Sequence, residues 1–351
     1  MTPKARAFQS DIAQALKLSQ STVSVALRGG PRVARRTREA VLRKAAELGY
    51  RPDPHLEALA RYRRTSKSAR FVAKLAWLTN YPQREGWRGH TATQYHRGAA
   101  LRAQQLGYEL ETFWMAEPGL TRSRLKQILL TRGIRGLLLA PQVSFGVELD
   151  FDFSDFSAVT FGYTLAAPVL HLVSNHQYRS MALALRRLLE LGYRRVGVAL
   201  VSSVDARVDH NFIAGYFATV HTTAGLAPIA PYECDEFNGG TFDAWQRRMK
   251  PDALILSDVL VNPVREWARR AGKRLPRDLA LVGLDLGSDR QRLAGIDQRS
   301  EAIGAAACDV LVGSLARFEY GLPAVPLRVL IEGVWVDGAS APRRETGRPR
   351  R

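Results

Sequence analysis

The sequence predicts two parallel-sheet α/β lobes behind a small all-α head. Three observations lead there. From residue 71 onward, short apolar runs with strand character alternate with amphipathic helices of roughly ten to fifteen residues, the signature of βαβ units. Residues 8–48 read instead as three short helices separated by turns. Charge divides at the same place. Residues 1–70 carry 16 Lys and Arg against 5 Asp and Glu, a net of +11, whereas residues 71–338 contribute only +3 of the total +18. A basic head on a nearly neutral body is the electrostatic footprint of a nucleic-acid-binding protein.

The head carries the sharpest signal. In residues 8–28, FQSDIAQALKLSQSTVSVALR, two apolar-periodic segments flank the turn Leu16-Lys17-Leu18. Ile12, Ala13, Leu18, Val23, Ala26 and Leu27 fall where two crossed helices would bury them. Ser19 stands at the N-cap of the second helix, where its hydroxyl accepts a bond from an otherwise orphan backbone N–H. Gln20, Ser21, Thr22, Ser24 and Val25 are then left near the front of that helix. This is a helix-turn-helix, whose second helix enters the DNA major groove by its N-terminal end. Gln20, Ser21 and Val25 are the expected base readers. Thr22, Ser24, Arg28, Arg32 and Arg38 are expected on phosphates, where they position without specifying. A third helix, Arg36 to Leu48, repeats apolar residues at Val41, Leu42, Ala45 and Leu48 and stops at Gly49.

Next, Asp53 is a plausible N-cap and Pro54 a first helical residue, after which Leu56, Leu59 and Ala60 share one face. A helix this short is unstable alone in water and needs a partner, either its own copy or DNA.

In the body, FVAKLAWLTN, GIRGLLLAP, SAVTFG, RRVGVALVSS, MKPDALILSD and DLALVGLD read as strands. HRGAALRAQQ, TRSRLKQILL, SMALALRRLLE, FIAGYFATVHT and VREWARRAG read as helices, and SSVDARVDHN as a loop. Leu106-Gly107-Tyr108 and Leu191-Gly192-Tyr193 stop helices at matching places, an echo of two similar lobes. Gly29-Gly30 and Gly239-Gly240 read as turns. Trp77 reads as core.

Several classes are excluded. Cys234 and Cys308 lie too far apart for a CxxC motif and suit a reducing cytoplasm. No run of 18 apolar residues marks a membrane span. His90 and His96, and His171 and His176, lack metal-ligand spacing. The sequence has no GxxxxGK[ST], GxSxG or GxGxxG, so neither an enzyme nor a cofactor is expected.

The combination resembles the lactose/galactose repressor (LacI/GalR) family of bacterial transcription regulators over roughly residues 8–338. Asp11-Ile12-Ala13, Leu18-Ser19 and Ser21-Thr22-Val23-Ser24 are similar to the family's head signature. Val33, Thr37-Arg38, Val41 and Leu48-Gly49-Tyr50-Arg51-Pro52 resemble its third helix and exit. Leu56, Leu59 and Ala60 resemble its hinge helix. Leu281-Val282-Gly283-Leu284-Asp285 and Ile296-Asp297-Gln298 resemble a strand end and crossover of its core.

The resemblance implies a cytoplasmic homodimer on a pseudo-palindromic operator, with paired hinge helices in the minor groove and Leu59 wedged between base steps. It implies a periplasmic-binding-protein-like core and a carbohydrate-related small-molecule effector. The expected domains are residues 1–53 (head), 54–70 (hinge helix and linker), 71–172 with 299–325 (N-terminal lobe), 173–298 with 326–338 (C-terminal lobe), and 339–351 (a disordered basic tail). The effector site is expected between the lobes at strand carboxyl ends. Its candidates are Asn80, Tyr81, Phe161, Arg207, Asn211, Phe212, Asp258, Asp285 and Gln298. A solute-binding protein or an α/β enzyme on the same core is the alternative.

Departures from the family pattern are informative. Lys17 replaces the usual turn glycine, Val25 an arginine, and Ala34 a capping serine. Asn211 and Phe212 stand where an arginine precedes Ala214-Gly215-Tyr216. Ser257 replaces an asparagine, and the acidic pair after the "VG-D" strand is reduced to Asp285-Leu286. These changes point away from a simple sugar as effector. Arg207 and Asp209 are candidates to supply the missing charge.

Overall fold

The computed structural model describes residues 9–27, 33–48, 73–287 and 293–344. The hinge candidates Leu56, Leu59 and Ala60, the phosphate candidates Arg28 and Arg32, Gly49, and tail residues 345–351 lie outside them.

The head comprises α1 (Gln9–Leu16), α2 (Gln20–Leu27) and α3 (Arg35–Glu47). Ile12, Ala13, Val23, Ala26, Val41 and Ala45 form its core, with Leu16, Leu18, Leu27 and Val33 packed around them. The expected face of α3 is narrower than its periodicity implies. Leu42 and Leu48 are exposed, because α1 and α2 cover only the stripe through Val41 and Ala45. Lys17 takes the left-handed turn, with φ of 52°. Ala34 leaves α3 without a side-chain cap.

The N-terminal lobe is built from β1 (Ala73–Thr79), α4 (His90–Gln105), β2 (Tyr108–Trp114), α5 (Arg122–Thr131), β3 (Gly136–Leu139), β4 (Val147–Glu148), β5 (Ser157–Phe161), β6 (Leu165–Ala167) and β7 (His171–Asn175). The C-terminal lobe follows with α6 (Gln177–Glu190), β8 (Val196–Val201), α7 (Ser202–Ala206), α8 (Asn211–Thr222), β9 (Tyr232–Cys234), α9 (Gly239–Met249), β10 (Ala253–Leu256), α10 (Val261–Arg270), β11 (Ala280–Gly283) and β12 (Ala294–Asp297). The chain then returns through α11 (Ser300–Arg317), β13 (Arg328–Ile331) and β14 (Val334–Val336).

The first sheet has the order β13-β7-β5-β3-β1-β2 and is parallel throughout. The second, β14-β12-β11-β10-β8-β9, is parallel except where β14 runs against β12. Strands β3, β5, β10 and β11 are buried along their whole length, as expected of parallel strands covered on both faces. Gly107 and Gly192 take positive φ after α4 and α6, so the LG-Y echo marks equivalent helix-to-strand turns.

The sheets move three expected boundaries. Strand β7 pairs with β5, so the first crossing falls after Asn175 rather than at 172. Strand β13 pairs with β7, so the N-terminal lobe extends to Ile331 rather than 325. Residues 339–344 are not a loose tail. Ser340 Oγ donates to Leu281 O at 2.6 Å and accepts from Ala294 N at 2.8 Å. Tyr193 Oη donates to Pro342 O at 2.8 Å, and Arg344 pairs with Asp252 at 2.8 Å. Two local readings also change. Residues 202–206 of the expected loop form a helical turn, and Gly239-Gly240 opens α9, capped by the Asn238 side chain.

One crossing holds the returning helix to its lobe. A Cβ on Gly304 of α11 would lie 2.0 Å from Tyr95 O, and one on Gly98 of α4 would lie 1.9 Å from Glu301 O. Only glycine allows these backbones to approach so closely, and Tyr95 is placed by that contact.

Candidate functional site

Two sites emerge, one on the head and one between the lobes. On the head, Ser19 caps α2: its Oγ accepts from Thr22 N at 3.1 Å. The same oxygen lies 2.8 Å from Ser21 Oγ and 2.7 Å from Thr22 Oγ1. The first turn of α2 is therefore pre-ordered. Gln20 and Ser21 are exposed, while Thr22, Ser24 and Val25 are half-buried. Their exposure follows from burial of Val23 and Ala26 on the opposite side of the same helix. Arg38 is also half-buried. Among the base-reading candidates, Ser21 offers a hydroxyl already engaged with Ser19, and Val25 offers only apolar surface, as for a thymine methyl.

Between the lobes lies a cleft of about 420 Å³. Every strand that feeds it does so from its carboxyl end, where open parallel sheets place ligands. Tyr81 follows β1, Pro141 follows β3, and Gly162 and Thr164 follow β5. On the other lobe, Val204 and Arg207 follow β8, Ser257 and Asp258 follow β10, Leu284 and Asp285 follow β11, and Gln298 follows β12. Phe161, Phe212 and Tyr95 complete the wall, each under a tenth exposed. Another concavity, of about 370 Å³, lies wholly on the N-terminal lobe beside β2 and α5, and draws on neither the second sheet nor the crossings.

Seven of the nine expected effector residues line the cleft: Tyr81, Phe161, Arg207, Phe212, Asp258, Asp285 and Gln298. Asn80 and Asn211 do not. The Asn80 carboxamide oxygen accepts from Arg122 at 3.1 Å, and the Asn211 side chain donates to Val208 O at 2.7 Å. Both are spent on local structure. The sequence reading missed Tyr95 and Gln177 as lining residues and singled out Ser257, which also lines the cleft, only as a departure from the family pattern. Tyr95 reads as one more apolar position on α4, and only the α4–α11 crossing turns it to the cleft.

Arg207 bridges the lobes. It belongs to the C-terminal lobe and donates from Nη1 to Val143 O of the N-terminal lobe. Burial raises the Tyr81 hydroxyl above its ordinary pKa, opposed by Arg207. Burial also raises Tyr95, with the Asp285 carboxylate adding to it and Arg207 opposing. Both tyrosines therefore remain neutral hydrogen-bonding groups at physiological pH. Asp285 accepts from Gly287 N at 3.1 Å, and Gln298 donates from Nε2 to Leu284 O at 2.9 Å. Ser257 Oγ is buried without a hydrogen-bond partner among the described residues. A buried hydroxyl left so costs about 1–3 kcal/mol, which a ligand group would recover. Trp77 is core, as expected.

Known proteins match both parts. Residues 10–53 match the family described as bacterial regulatory proteins, lacI family, and residues 185–341 match the periplasmic binding protein-like domain. The chain is 27% identical over 294 residues to the HTH-type transcriptional regulator reg1 of Streptomyces lividans, covering 79% of each chain. It is 24% identical over 297 residues to the HTH-type transcriptional repressor CytR of Escherichia coli K12, covering 80% of each. Among solved structures, the lac repressor dimer bound to operator and the anti-inducer ONPF aligns over 96% of this chain and 99% of that one, at 20% identity and a TM-score of 0.53. The transcriptional regulator CelR–cellobiose complex aligns over 95% and 100%, at 20% identity and a TM-score of 0.54. These structural likenesses bear on the fold. Among the described residues, no helix is long and apolar enough to cross a membrane. A lacI-family head joined to a periplasmic-binding-protein-like body makes this chain a DNA-binding transcriptional regulator of the LacI type.

Proposed function

We propose that the protein is a cytoplasmic repressor that binds a pseudo-palindromic operator as a homodimer and is released or engaged by a carbohydrate-related effector in the interlobe cleft. Binding, not catalysis, is its activity. The observation that carries this reading is the pairing of a pre-capped, outward-facing α2 with a cleft bridged by Arg207. Each α2 enters a major groove with Gln20, Ser21 and Val25 toward the bases. Thr22, Ser24, Arg28, Arg32 and Arg38 hold the phosphates. Leu56, Leu59 and Ala60 enter the minor groove at the dyad, where Leu59 wedges a base step open.

A ligand shifts DNA affinity through its differential affinity for open and closed lobes. Arg207 and Asp285 stand on one lobe, and Tyr81 and Tyr95 on the other, so lobe movement makes or breaks their interaction.

Selection of genomic fragments by the purified chain, followed by anisotropy titration of the selected DNA, tests this. Specific binding should weaken with a log–log salt slope of about −0.9 for each phosphate neutralised. Leu59→Ala should reduce specific binding much more than non-specific binding. Affinity independent of salt, or equal loss of both modes in Leu59→Ala, overturns the respective assignments.

A further inference from the structure

We propose that the outer edge of the C-terminal lobe is a second contact for duplex DNA, sequence-independent and separate from the head. Both sheets turn the carboxyl ends of their parallel strands to the cleft, so the amino ends face outward on opposite sides of it. The chain enters the body at Ala73, the amino end of β1, so the head is joined at the outer edge of the N-terminal lobe. The outer edge of the other lobe collects the C-terminal ends of α6, α9 and α10, the turns into β8, β10 and β11, and the segment 337–344 that follows antiparallel β14. The near-neutrality of the body hides a division there. Residues 186–195, 243–252, 266–278 and 337–344 carry 14 Lys and Arg against 6 Asp and Glu, a net of +8, while the rest of residues 71–344 carry 18 against 21, a net of −3.

Cations at helix C-termini complement the helix dipole. The N-terminal lobe meets that need without a surplus: Arg102 pairs with Asp309 at 2.8 Å, Arg132 with Glu111, and Arg317 with Glu319 at 2.6 Å. On the C-terminal lobe, Arg187 and Arg247 are paired in the same way, with Glu190 and Asp243. There the carboxylates run out. Glu266 is shared between Arg269 and Arg270. Arg186, Arg248 and Lys250 are exposed and have no ion pair among the described residues. Other guanidinium groups are held by carbonyls. Arg194 Nη1 donates to Leu189 O at 2.8 Å, Arg195 Nε to Lys250 O at 3.0 Å, and Arg343 Nη1 to Glu190 O at 3.1 Å. A carbonyl orients the guanidinium without cancelling its charge, and leaves further N–H groups of the five-donor fork for phosphate oxygens.

The make-up of the edge selects the kind of polyanion. No large hydrophobic side chain is exposed in the four segments, whereas a protein partner is met by an apolar or aromatic centre inside a polar rim. A sugar–phosphate backbone asks only for distributed cations, and arginine forks match its oxygens. Strands about 4.8 Å apart make a six-stranded edge about 24 Å wide, the length of about seven base pairs of duplex at about 3.4 Å each. With the head at one end of the molecule and this edge at the other, one chain holds two stretches of duplex. Once the head is seated, a second stretch of the same DNA reaches the edge at a raised effective concentration.

A two-duplex capture experiment on the full-length chain tests this. The protein is loaded on a bead-tethered fragment that it has selected, then offered a labelled duplex of about 20 base pairs and unrelated sequence at about 50 mM salt, where phosphate contacts are strong. The wild-type chain should retain the second duplex. The triple variant Arg186→Glu, Arg248→Glu, Lys250→Glu should retain at least about 10-fold less, with equal loading on the tethered fragment and an unchanged unfolding midpoint. The neutral triple variant with Gln at the same positions should fall between them. Equal capture by wild type and the Glu variant overturns the proposal. So does loss of the tethered fragment together with the second duplex, which would put these cations in the footprint of the first. A readout that needs no working head is acetylation of Lys250, which the unrelated duplex should slow several-fold in the wild-type chain. An unprotected Lys250 overturns the proposal whatever the head does, and stronger protection by poly-L-glutamate at equal charge would replace DNA with an acidic protein partner.

Discussion

The head and the cleft are built on opposite principles. In the head, capping, core and reading surface all come from the one segment Gln9–Leu48. The cleft draws on residues from Tyr81 to Gln298, delivered by the ends of separate strands and by one helix crossing. Local construction makes the head's function depend on a few positions. Distributed construction lets the cleft lose one lining residue and keep its shape, yet leaves it sensitive to how the lobes pack.

The largest test of that contrast is Val23→Asp. It puts an unpaired charge into a core of six buried side chains and should cost the head about 4 kcal/mol or more. DNA binding should vanish while calorimetric unfolding of the two lobes is unchanged; simultaneous loss of the lobes would show that head and body do not fold separately.

Next is Gly304→Val. The new Cβ meets Tyr95 O, and overpacking of this kind costs about 1–3 kcal/mol or more. Hydrogen exchange should rise in α4 and α11, and effector affinity should fall through displacement of Tyr95, with non-specific DNA affinity retained. Ser19→Ala removes the α2 cap and should cost the head about 1 kcal/mol, read as a lower midpoint for that transition alone. The smallest effect has the opposite sign. Lys17 pays the left-handed penalty of about 1–2 kcal/mol, so Lys17→Gly should stabilise the head by the part not offset by glycine's extra chain entropy. A lower midpoint in Lys17→Gly would show that the lysine side chain contributes more than its backbone costs.

The contrast also explains what was legible beforehand. Helix-turn-helix burial at Ile12, Ala13, Val23 and Ala26, the cap at Ser19 and the alternation of strands and helices follow from periodicities of 3.6 and 2, which a sequence displays directly. Tyr81, Arg207, Asp258, Asp285 and Gln298 were found because they follow apolar strands, and carboxyl ends of parallel strands face ligands; Phe161 ends such a strand, and Phe212 lies on α8. Asn80, which follows β1, and Asn211, which opens α8, are each captured by a partner outside the cleft, and nothing in their spacing reveals the capture. The domain boundaries erred where short strands cross between sheets, because β7 and β13 carry no mark of which sheet they join.

Chain order alone, through charge and side-chain period, determined that a basic three-helix reader precedes two parallel-sheet lobes. Tertiary structure decided which aromatic rings meet in the cleft, that Arg207 spans it, and that residues 339–344 are fastened to a sheet. The physical reason is range: helix caps and amphipathic faces are settled between neighbours a few residues apart, while a cleft is settled by contacts between segments far apart in sequence, whose meeting depends on backbone approaches such as Gly98 to Glu301 and Gly304 to Tyr95.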